Sequence, residues 1–192
     1  QEKRVKHLKK IKTSVEGLKS ILEDFLSIGK LEEGSVEAHM ETLPFRDLAD
    51  LLENTVSDMR QASKAGQDFA YMFEGDGDVW ADPSLFRNIL INLVSNAIKF
   101  TPHDGKIAIG LTANSAGITL VVKDNGIGIS EEDQQHLFER FFRAKNASTI
   151  QGTGLGLNIV TKYLELMNGS IRLESRLNEG TCISIQIPGK TG

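Results

Sequence analysis

Apolar residues recur at alternating spacings of three and four along the first 33 residues, with lysines and glutamates between them. This a/d heptad pattern predicts one long amphipathic helix. Its seam consists of Leu8, Ile11, Val15, Leu18, Leu22 and Phe25. Ile21 and Ile28 widen the apolar stripe beyond a two-stranded seam, which favours a helical bundle. The helix packs either on its own domain or, as we expect, against other helices in a dimeric bundle.

The rest of the chain alternates between helical and strand patterns. Gly34 is the expected C-cap of the first helix, and a polar linker over 35–43 leads to Pro44. The patterns predict helices over 45–63, 83–100 (with Asp82 as N-cap), 131–141 and 154–167, and strands over 68–73, 78–81, 107–111, 118–122, 170–175 and 181–187. Because the strands come in hairpins, we expect an α+β fold. It is a two-layer α/β sandwich with a mixed, mostly antiparallel sheet and helices on one face.

Composition narrows the classes of function. The chain has 192 residues, of which 40% are hydrophobic and 25% charged, and a formal net charge of -4. The acidic balance argues against nucleic-acid binding. No apolar run approaches the ~20 residues that span a bilayer, and Cys182 has no second cysteine in the chain for a disulfide. The sequence begins without Met and inside a helical pattern, so we expect it to be a piece of a longer protein.

The first motif with chemical content is Asn92-Leu-Val-Ser-Asn96-Ala-Ile-Lys99-Phe100. Asn92 and Asn96 are one helical turn apart and share a face, while the other faces are apolar. Two amides on a mostly buried helix are costly without partners. Mg²⁺ takes amide and phosphate oxygens as ligands, and Lys99 is close enough to offer its charge to the same phosphates. The alternative is that the two amides cap neighbouring loops.

The second motif, Asp124-Asn-Gly126-Ile-Gly128, directly follows a predicted strand. A carboxylate at a strand end can accept a hydrogen bond from an exocyclic amine such as that of adenine. The glycines permit positive φ and the close approach of a flat ring. The alternative is a plain Asp-Asn-Gly turn.

The third motif, Gly152-Thr-Gly154-Leu-Gly156-Leu, opens a predicted helix. Backbone N–H groups at a helix start, left accessible by glycine, bind phosphate oxygens. The spacing is neither that of the dinucleotide-binding fingerprint nor that of a P-loop. It therefore favours a phosphate site of another type.

The fourth motif, Phe138-Glu-Arg140-Phe141-Phe142-Arg143, lies between the two glycine motifs, with Lys145 just beyond it. Its aromatics are suited to anchor a lid, and its basic residues to reach phosphates when the lid closes. We place Arg143 ahead of Arg140 and Lys145 as the phosphate contact. The alternative is an ordinary amphipathic helix with a solvated charged face.

In order and spacing, the four motifs resemble the N, G1, F and G2 boxes of the ATP-binding catalytic domain of sensor histidine kinases. That family belongs to the GHKL group, together with gyrase, a mismatch-repair ATPase and a heat-shock chaperone. The resemblance implies a Bergerat-type ATP domain over 44–192. Residues 18–34 resemble the second helix of a dimerisation and phosphotransfer domain, so that 1–34 forms the helix and 35–43 the linker.

The resemblance also implies roles for individual residues. Asn96 would be the Mg²⁺ ligand, and Asn92 occupies the place where gyrase-like ATPases have a water-activating glutamate. An amide there fits an enzyme that transfers phosphate instead of hydrolysing ATP. Lys99 would contact phosphate, and Phe100 would lie beside the base where the family often has Tyr.

Asp124 would read the adenine amine. The remaining implied nucleotide contacts lie on the two glycine motifs, the lid and one strand: Gly126, Ile127, Gly128, Phe141, Arg143, Gly152, Thr153, Gly154, Leu155, Gly156, Leu157 and Thr181. ATP and Mg²⁺ are therefore the expected cofactors.

The family's acceptor motif, a histidine followed by Glu or Asp, then another residue and then Arg, is missing. The four histidines here are followed by Leu8, Met40, Asp104 and Leu137. Only His103-Asp104 begins like the motif, but Gly105-Lys106 follows it, in a loop after the first motif. We therefore expect a chain that binds ATP without phosphorylating itself. Its acceptor histidine would lie on a preceding helix, and phosphate would pass on to the receiver domain of a response regulator.

The resemblance further implies a homodimer through the first helix and a cytoplasmic location for this portion, and leaves open whether the parent protein is membrane-bound. One rival function is a GHKL module that holds nucleotide and signals through dimer contacts without transferring phosphate. A gyrase-like hydrolase is a further rival, and Asn92 argues against it because that class needs a carboxylate there.

Overall fold

The computed structural model describes residues 2–148, 150 and 152–190; along the first 20 residues it describes side chains only at 15 and 17–19. Five α-helices lie in these ranges: α1 (Glu2–Glu32), α2 (Phe45–Arg60), α3 (Pro83–Phe100), α4 (Glu131–Gln134) and α5 (Gly156–Leu166). The strands are β1 (Glu41–Pro44), β2 (Asp68–Glu74), β3 (Asp78–Ala81), β4 (Lys106–Asn114), β5 (Gly117–Asp124), β6 (Ser170–Arg176) and β7 (Gly180–Pro188). A 3-10 turn covers Lys145–Ala147.

The five-stranded sheet has the order β2-β4-β5-β7-β6. β2 pairs with β4 in parallel, and the other three pairings are antiparallel. Alternate residues of the central strands are buried against the helices: Ile107, Ile109, Leu111, Ile118, Leu120, Val122, Ile183, Ile185 and Ile187. This burial of every second residue is the pattern of a sheet covered on one face. The predicted fold class, a mixed, mostly antiparallel sheet with helices, is confirmed.

Helix α3 carries the first motif and begins where the sequence predicts. The Asp82 carboxylate caps it by accepting the N–H groups of Ser84 at 2.8 Å and Leu85 at 2.9 Å, with Pro83 in the first turn. The other Asp82 oxygen accepts the N–H of His39 at 2.8 Å. Asp82 is 3% exposed and therefore ties the segment after α1 to the start of α3.

Helix α1 leaves most of its apolar seam uncovered. Val15, Leu18, Leu22 and Phe25 are 59–66% exposed, whereas Ile28 and Leu31, nearer the end of the helix, pack against the core. The predicted seam positions Leu8 and Ile11 have side chains outside the described residues. None of the helices in the described ranges combines the length and apolarity needed to cross a membrane.

The end of α1 is a Schellman motif. Gly34 has φ 65, its N–H donates to the carbonyl of Leu31 at 3.3 Å, and the N–H of Ser35 donates to the carbonyl of Lys30 at 3.0 Å. This pair of bonds closes the last turn on a residue in the left-handed region, which suits glycine. The predicted C-cap is therefore confirmed.

Several predicted elements differ from the structure. β2 and β3 do not form a hairpin, because β2 joins β4 while β3 pairs with β1 in a separate two-stranded sheet. β1 takes up the last residues of the predicted linker over 35–43, and Gly77 accepts the N–H of Phe45 at 2.8 Å. The short helix predicted over 131–141 ends at Gln134, and the helix predicted from Gly154 begins at Gly156.

Candidate nucleotide-binding site

A cavity of about 260 Å³ opens between α3, the loop after β5, the loop before α5 and the last third of α1. Most of the sequence-predicted site residues line it: Asn92, Asn96, Lys99, Phe100, Asp124, Ile127, Gly128, Arg143, Gly152, Thr153, Gly154, Gly156, Leu157 and Thr181. The structure thus gathers four motifs that are separated in sequence around one space.

The two amides of α3 face the start of α5. Asn92 donates its Nδ2 to the carbonyl of Asn88 at 2.9 Å, within its own helix, so it caps no neighbouring loop. A Cβ added at Gly156 would lie 2.8 Å from the Oδ1 of Asn92 and 4.0 Å from the Nδ2 of Asn96. Only a residue without a side chain fits between the amide pair and the helix start. This leaves the amides and the backbone of α5 able to contact the same bound group.

Asp124 also lines the cavity and is 9% exposed. Its Oδ1 accepts the N–H of Gly126 at 2.8 Å. Burial raises the pKa of Asp124 above the ordinary aspartate range, and the backbone N–H groups of Gly126 and Thr181 offset part of that rise. A buried carboxylate that lines a cavity is suited to accept a hydrogen bond from a neutral amine.

The loop that carries Asp124 is fixed on both sides. Ile127 donates its N–H to the carbonyl of Phe100 at 3.2 Å and accepts the N–H of Asn178 at 2.8 Å. Gly128 has φ 61, and a Cβ there would lie 1.9 Å from the carbonyl oxygen of Arg176. The loop is therefore held between the end of α3 and the turn between β6 and β7.

The glycine motif before α5 is folded back onto the lid. Gly154 has φ 73 and accepts the N–H of Phe141 at 3.0 Å. The hydroxyl of Thr153 accepts the N–H of Leu155 at 3.2 Å. Leu155 itself is buried in the core and Gly126 is covered by the end of α3, so these two predicted site residues support the cavity without lining it.

The positive charge of the cavity comes from Lys99 and Arg143, the two cations among its described lining residues. Burial lowers the pKa of Lys99, Arg143 lowers it further, and Asp24 raises it. A Cβ at Gly152 would lie 3.6 Å from the Lys99 Nζ, so this ammonium faces the glycine motif. Lys99 thus stands where phosphate oxygens would meet backbone N–H groups.

Arg143 is already used by the lid. Its Nη2 donates to the carbonyls of Ala147 at 2.9 Å and Ser148 at 3.2 Å, and also to that of Ile150. Lys145 pairs with Glu132 at 3.0 Å. Because Arg143 holds the loop in this arrangement, a contact with phosphate would require it to release those carbonyls.

The structure does not bring Phe141 to the cavity. Its φ of 63 turns the side chain outward, where it is 64% exposed. The neighbouring Phe142 lines the cavity instead and packs at a tilt of 38° against His136, with ring centroids 5.4 Å apart. A pair of adjacent phenylalanines does not reveal which ring points inward, since that depends on one backbone dihedral.

Sequence reasoning missed the contribution of α1 and of several strand and loop positions. Glu23 and Asp24 of α1 line the cavity, and Asp24 accepts the hydroxyl of Thr153 at 2.6 Å. Asn146 donates its Nδ2 to the carbonyl of Gly128 at 2.9 Å. The apolar wall includes Ile129, Leu173 and Ile183. The inward alternation of β6 and β7 is the one sequence signal that marks such wall residues.

The residue types fit a nucleotide that brings a divalent cation with it. The described residues contain no group of three or more His, Cys, Asp or Glu side chains arranged to hold a metal. Amide oxygens, by contrast, complete the shell of a Mg²⁺ ion that keeps phosphate oxygens and waters as its other ligands. Asn96 is the described side chain best placed for this, since it lines the cavity on the face that also presents Asn92 and Lys99.

Comparison with known proteins gives one consistent family. A family model for histidine kinase-, DNA gyrase B- and HSP90-like ATPases matches residues 81–191. The circadian input-output histidine kinase CikA of Synechococcus elongatus is 32% identical over 99% of this chain and 26% of its own length. The sensor protein GacS of Pseudomonas syringae is 36% identical over 95% of this chain and 21% of its own length. The chain thus spans about a quarter of these curated relatives.

Solved structures of histidine kinases superpose on this chain and indicate the same family. Full-length ShkA in complex with AMPPNP superposes with a TM-score of 0.78 at 26% identity, over 91% of this chain and 36% of that one. The catalytic domain of the histidine kinase ThkA gives a TM-score of 0.64 at 30% identity, over 79% of this chain and 98% of that one.

Fold and site together define an ATP-binding domain of the GHKL type. The chain belongs to the family of histidine kinase-, DNA gyrase B- and HSP90-like ATPases, and its matched relatives are sensor histidine kinases. The family that the four motifs predict is therefore confirmed. The chain is an ATPase-type catalytic domain of a sensor histidine kinase.

Proposed function

We propose that this chain binds Mg²⁺-ATP and transfers its γ-phosphate to a histidine, for relay to an aspartate of a response regulator. The family and the kinase relatives support this class of reaction. The observation that carries the proposal is Asn92, whose amide oxygen faces the start of α5 at Gly156. The resemblance implies that gyrase-like hydrolases have a carboxylate at this position, which activates water. An amide is no general base at neutral pH, so the site favours transfer over hydrolysis.

Phosphoryl transfer requires positioning of the substrate and neutralisation of its charge, and different residues of the cavity provide each. Asp124 accepts the adenine amine and sets the orientation of the base. Lys99 and the backbone N–H groups before α5 hold the phosphate oxygens. Asn96 would hold Mg²⁺, which when bound neutralises charge on the phosphates. The lid, with Phe142 on its inner side, restricts the access of water.

The acceptor would lie outside the residues of this cavity. Among the histidines with described side chains, His39, His103 and His136, none lines it. The exposed apolar seam of α1 supports a bundle with further helices, where an acceptor histidine could be presented. We therefore assign the acceptor to another helix of the same bundle.

Radiolabelled γ-phosphate tests this assignment. The chain 1–192 is expected to bind ATP with Mg²⁺ but to incorporate no label, because none of the histidines with described side chains lines the cavity. The full-length parent is expected to take up label in an acid-labile, base-stable form and to lose it to a receiver domain. Label retained by chain 1–192 would contradict the placement of the acceptor. A parent that binds ATP yet never takes up label would instead support a regulatory module that only holds nucleotide.

Replacing Asn96 by alanine tests the metal ligand. Asn96→Ala is expected to weaken ATP binding in Mg²⁺ at least about tenfold and to leave binding in EDTA nearly unchanged, because even the outer-shell partners of metal ligands are worth about 10–100-fold in metal affinity. Isothermal titration with and without Mg²⁺ measures the difference. Asn88→Ala, on the same helix but not lining the cavity, is the matched control. An Asn96→Ala variant with wild-type affinity in Mg²⁺ would argue against the ligand assignment.

A further inference from the structure

Helix α1 reaches the phosphate end of the cavity through one acidic side chain. The Oδ2 of Asp24 accepts the hydroxyl of Thr153 at 2.6 Å, while the same hydroxyl accepts the N–H of Leu155 at 3.2 Å. The Thr153 hydroxyl thus donates its proton to α1 and accepts an N–H of the turn before α5. The glycine motif is therefore fastened to α1 at the place where it would close on phosphate.

Asp24 also interacts electrostatically with Lys99. Burial raises the pKa of Asp24 above its ordinary range, and the Thr153 hydrogen bond and Lys99 offset part of that rise, while Glu23 adds to it. Burial lowers the pKa of Lys99, and Asp24 offsets part of that fall. A cation, a hydroxyl and nearby backbone N–H groups are the contacts that a phosphate oxygen makes in proteins. In this arrangement the Thr153 hydroxyl donates to a carboxylate of α1, and the charge of Lys99 acts on the same carboxylate.

A second pair of charges joins α1 to the lid. Arg140, on the segment that folds back onto Gly154, forms an ion pair with Glu32, two turns beyond Asp24 on the same side of the molecule. Asp24 and Glu32 thus contact the glycine motif and the lid respectively. Release of α1 at Asp24 would free the lid from one of its described neighbours as well.

We propose that Asp24 occupies the place of the terminal phosphate and makes this site distinguish a nucleoside triphosphate from a diphosphate. This inference rests on the proposed ATP function. A γ-phosphate would compete with the Asp24 carboxylate for Thr153 and Lys99. The phosphate and the carboxylate would also repel each other, because both are anions in a partly buried site. ATP therefore displaces α1 from the glycine motif, whereas ADP leaves the Asp24–Thr153 hydrogen bond in place. The contact between α1 and the glycine motif therefore depends on which nucleotide is bound.

Asp24→Asn is the decisive variant, since asparagine keeps the size and a hydrogen-bond acceptor for Thr153 and removes only the charge. It is expected to raise the affinity for ATP about tenfold and to change that for ADP less than about twofold. Isothermal titration of chain 1–192 with each nucleotide in Mg²⁺ gives both values. Glu33→Gln removes an exposed charge just past the end of α1 and is expected to change neither affinity.

Amide hydrogen exchange provides a second readout in the unaltered chain. The amides of residues 21–28 are expected to exchange faster with a non-hydrolysable ATP analogue than with ADP, and at equal rates in Asp24→Asn. Equal changes in ATP and ADP affinity in Asp24→Asn, or equal exchange with both nucleotides in the wild type, would overturn this inference while leaving ATP binding intact. A wild-type chain that binds neither nucleotide would overturn the proposed function and this inference together.

Discussion

ATP is expected to bind about 100-fold more weakly when Asp124 is replaced by asparagine, while the fold is kept. One side-chain oxygen already accepts the N–H of Gly126 at 2.8 Å, and asparagine can keep that bond. Its second polar atom then becomes an NH₂ group, which meets the adenine amine donor to donor. Losing a charge-assisted hydrogen bond and leaving a buried donor unpaired together cost about 3 kcal/mol, which is about 100-fold in Kd.

The raised pKa of Asp124 predicts the accompanying pH dependence. Burial lifts the folded-state pKa above that of the unfolded chain, so the ionised form is disfavoured by folding. Between those two pKa values the folded chain binds more protons, and the stability of the nucleotide-free protein falls as pH rises. Ionised Asp124 thus costs stability at neutral pH, and its replacement by asparagine carries no loss of charge stabilisation. ATP affinity, in contrast, is expected to fall as pH drops through this raised pKa.

Titration of ATP into Asp124→Asn, together with urea unfolding, separates binding from folding. Asp68→Asn, an exposed aspartate at the start of β2, is the control and is expected to bind ATP like the wild type. Wild-type affinity in Asp124→Asn would show that Asp124 does not read the base. A collapse of stability in this variant would show that its carboxylate serves the fold in place of the ligand.

Gly128→Ala is expected to lose about 2 kcal/mol more stability than Gly77→Ala. Both glycines have positive φ, 61 and 69 respectively, so both substitutions carry the same backbone strain of about 1 kcal/mol. A Cβ at Gly77 meets open space, whereas one at Gly128 would lie 1.9 Å from the carbonyl oxygen of Arg176. Backbone must move to relieve that overlap, and overpacking of this kind typically costs about 1–3 kcal/mol. The comparison therefore isolates the clash from the strain.

Urea unfolding at an unchanged m-value measures both variants, and ATP titration shows whether the loop still forms the site. Gly128→Ala is also expected to weaken ATP binding, because the displaced loop carries Asp124 and accepts the Nδ2 of Asn146. Equal stability losses at the two positions would mean that the β6–β7 turn yields freely and does not fix the loop.

Local chemistry explains which parts of this site were predictable. Asp82 followed by Pro83 defines a helix start by itself, and α3 begins there. The amide pair of α3 and the two glycine motifs carry their function in residue type and spacing, so the cavity they line follows from the sequence. Each of these signals acts within a few residues of its own position.

Non-local choices explain what the sequence could not reveal. A turn between β2 and β3 favours a hairpin, but each strand finds a different partner, β4 or β1, far along the chain. On α1 only the apolar seam gives a signal, and the charged residues between its positions give none. That Asp24 meets Thr153 depends on how the helix docks, which no periodicity records.

The Schellman end of α1 and the Asp82 carboxylate together set the length of a tether. Ser35 is the last residue bonded to α1, and His39 is the first bonded to Asp82, which leaves residues 36–38 between the two attachment points. At ~3.5 Å per residue, the four steps from Ser35 to His39 span at most about 14 Å, which limits how far the end of α1 can lie from the start of α3. A tether of this length keeps its two ends at an effective concentration in the millimolar range or above. Under the proposed function, the length of this segment would limit which histidines of a bundle the ATP site can contact, whatever its affinity for them.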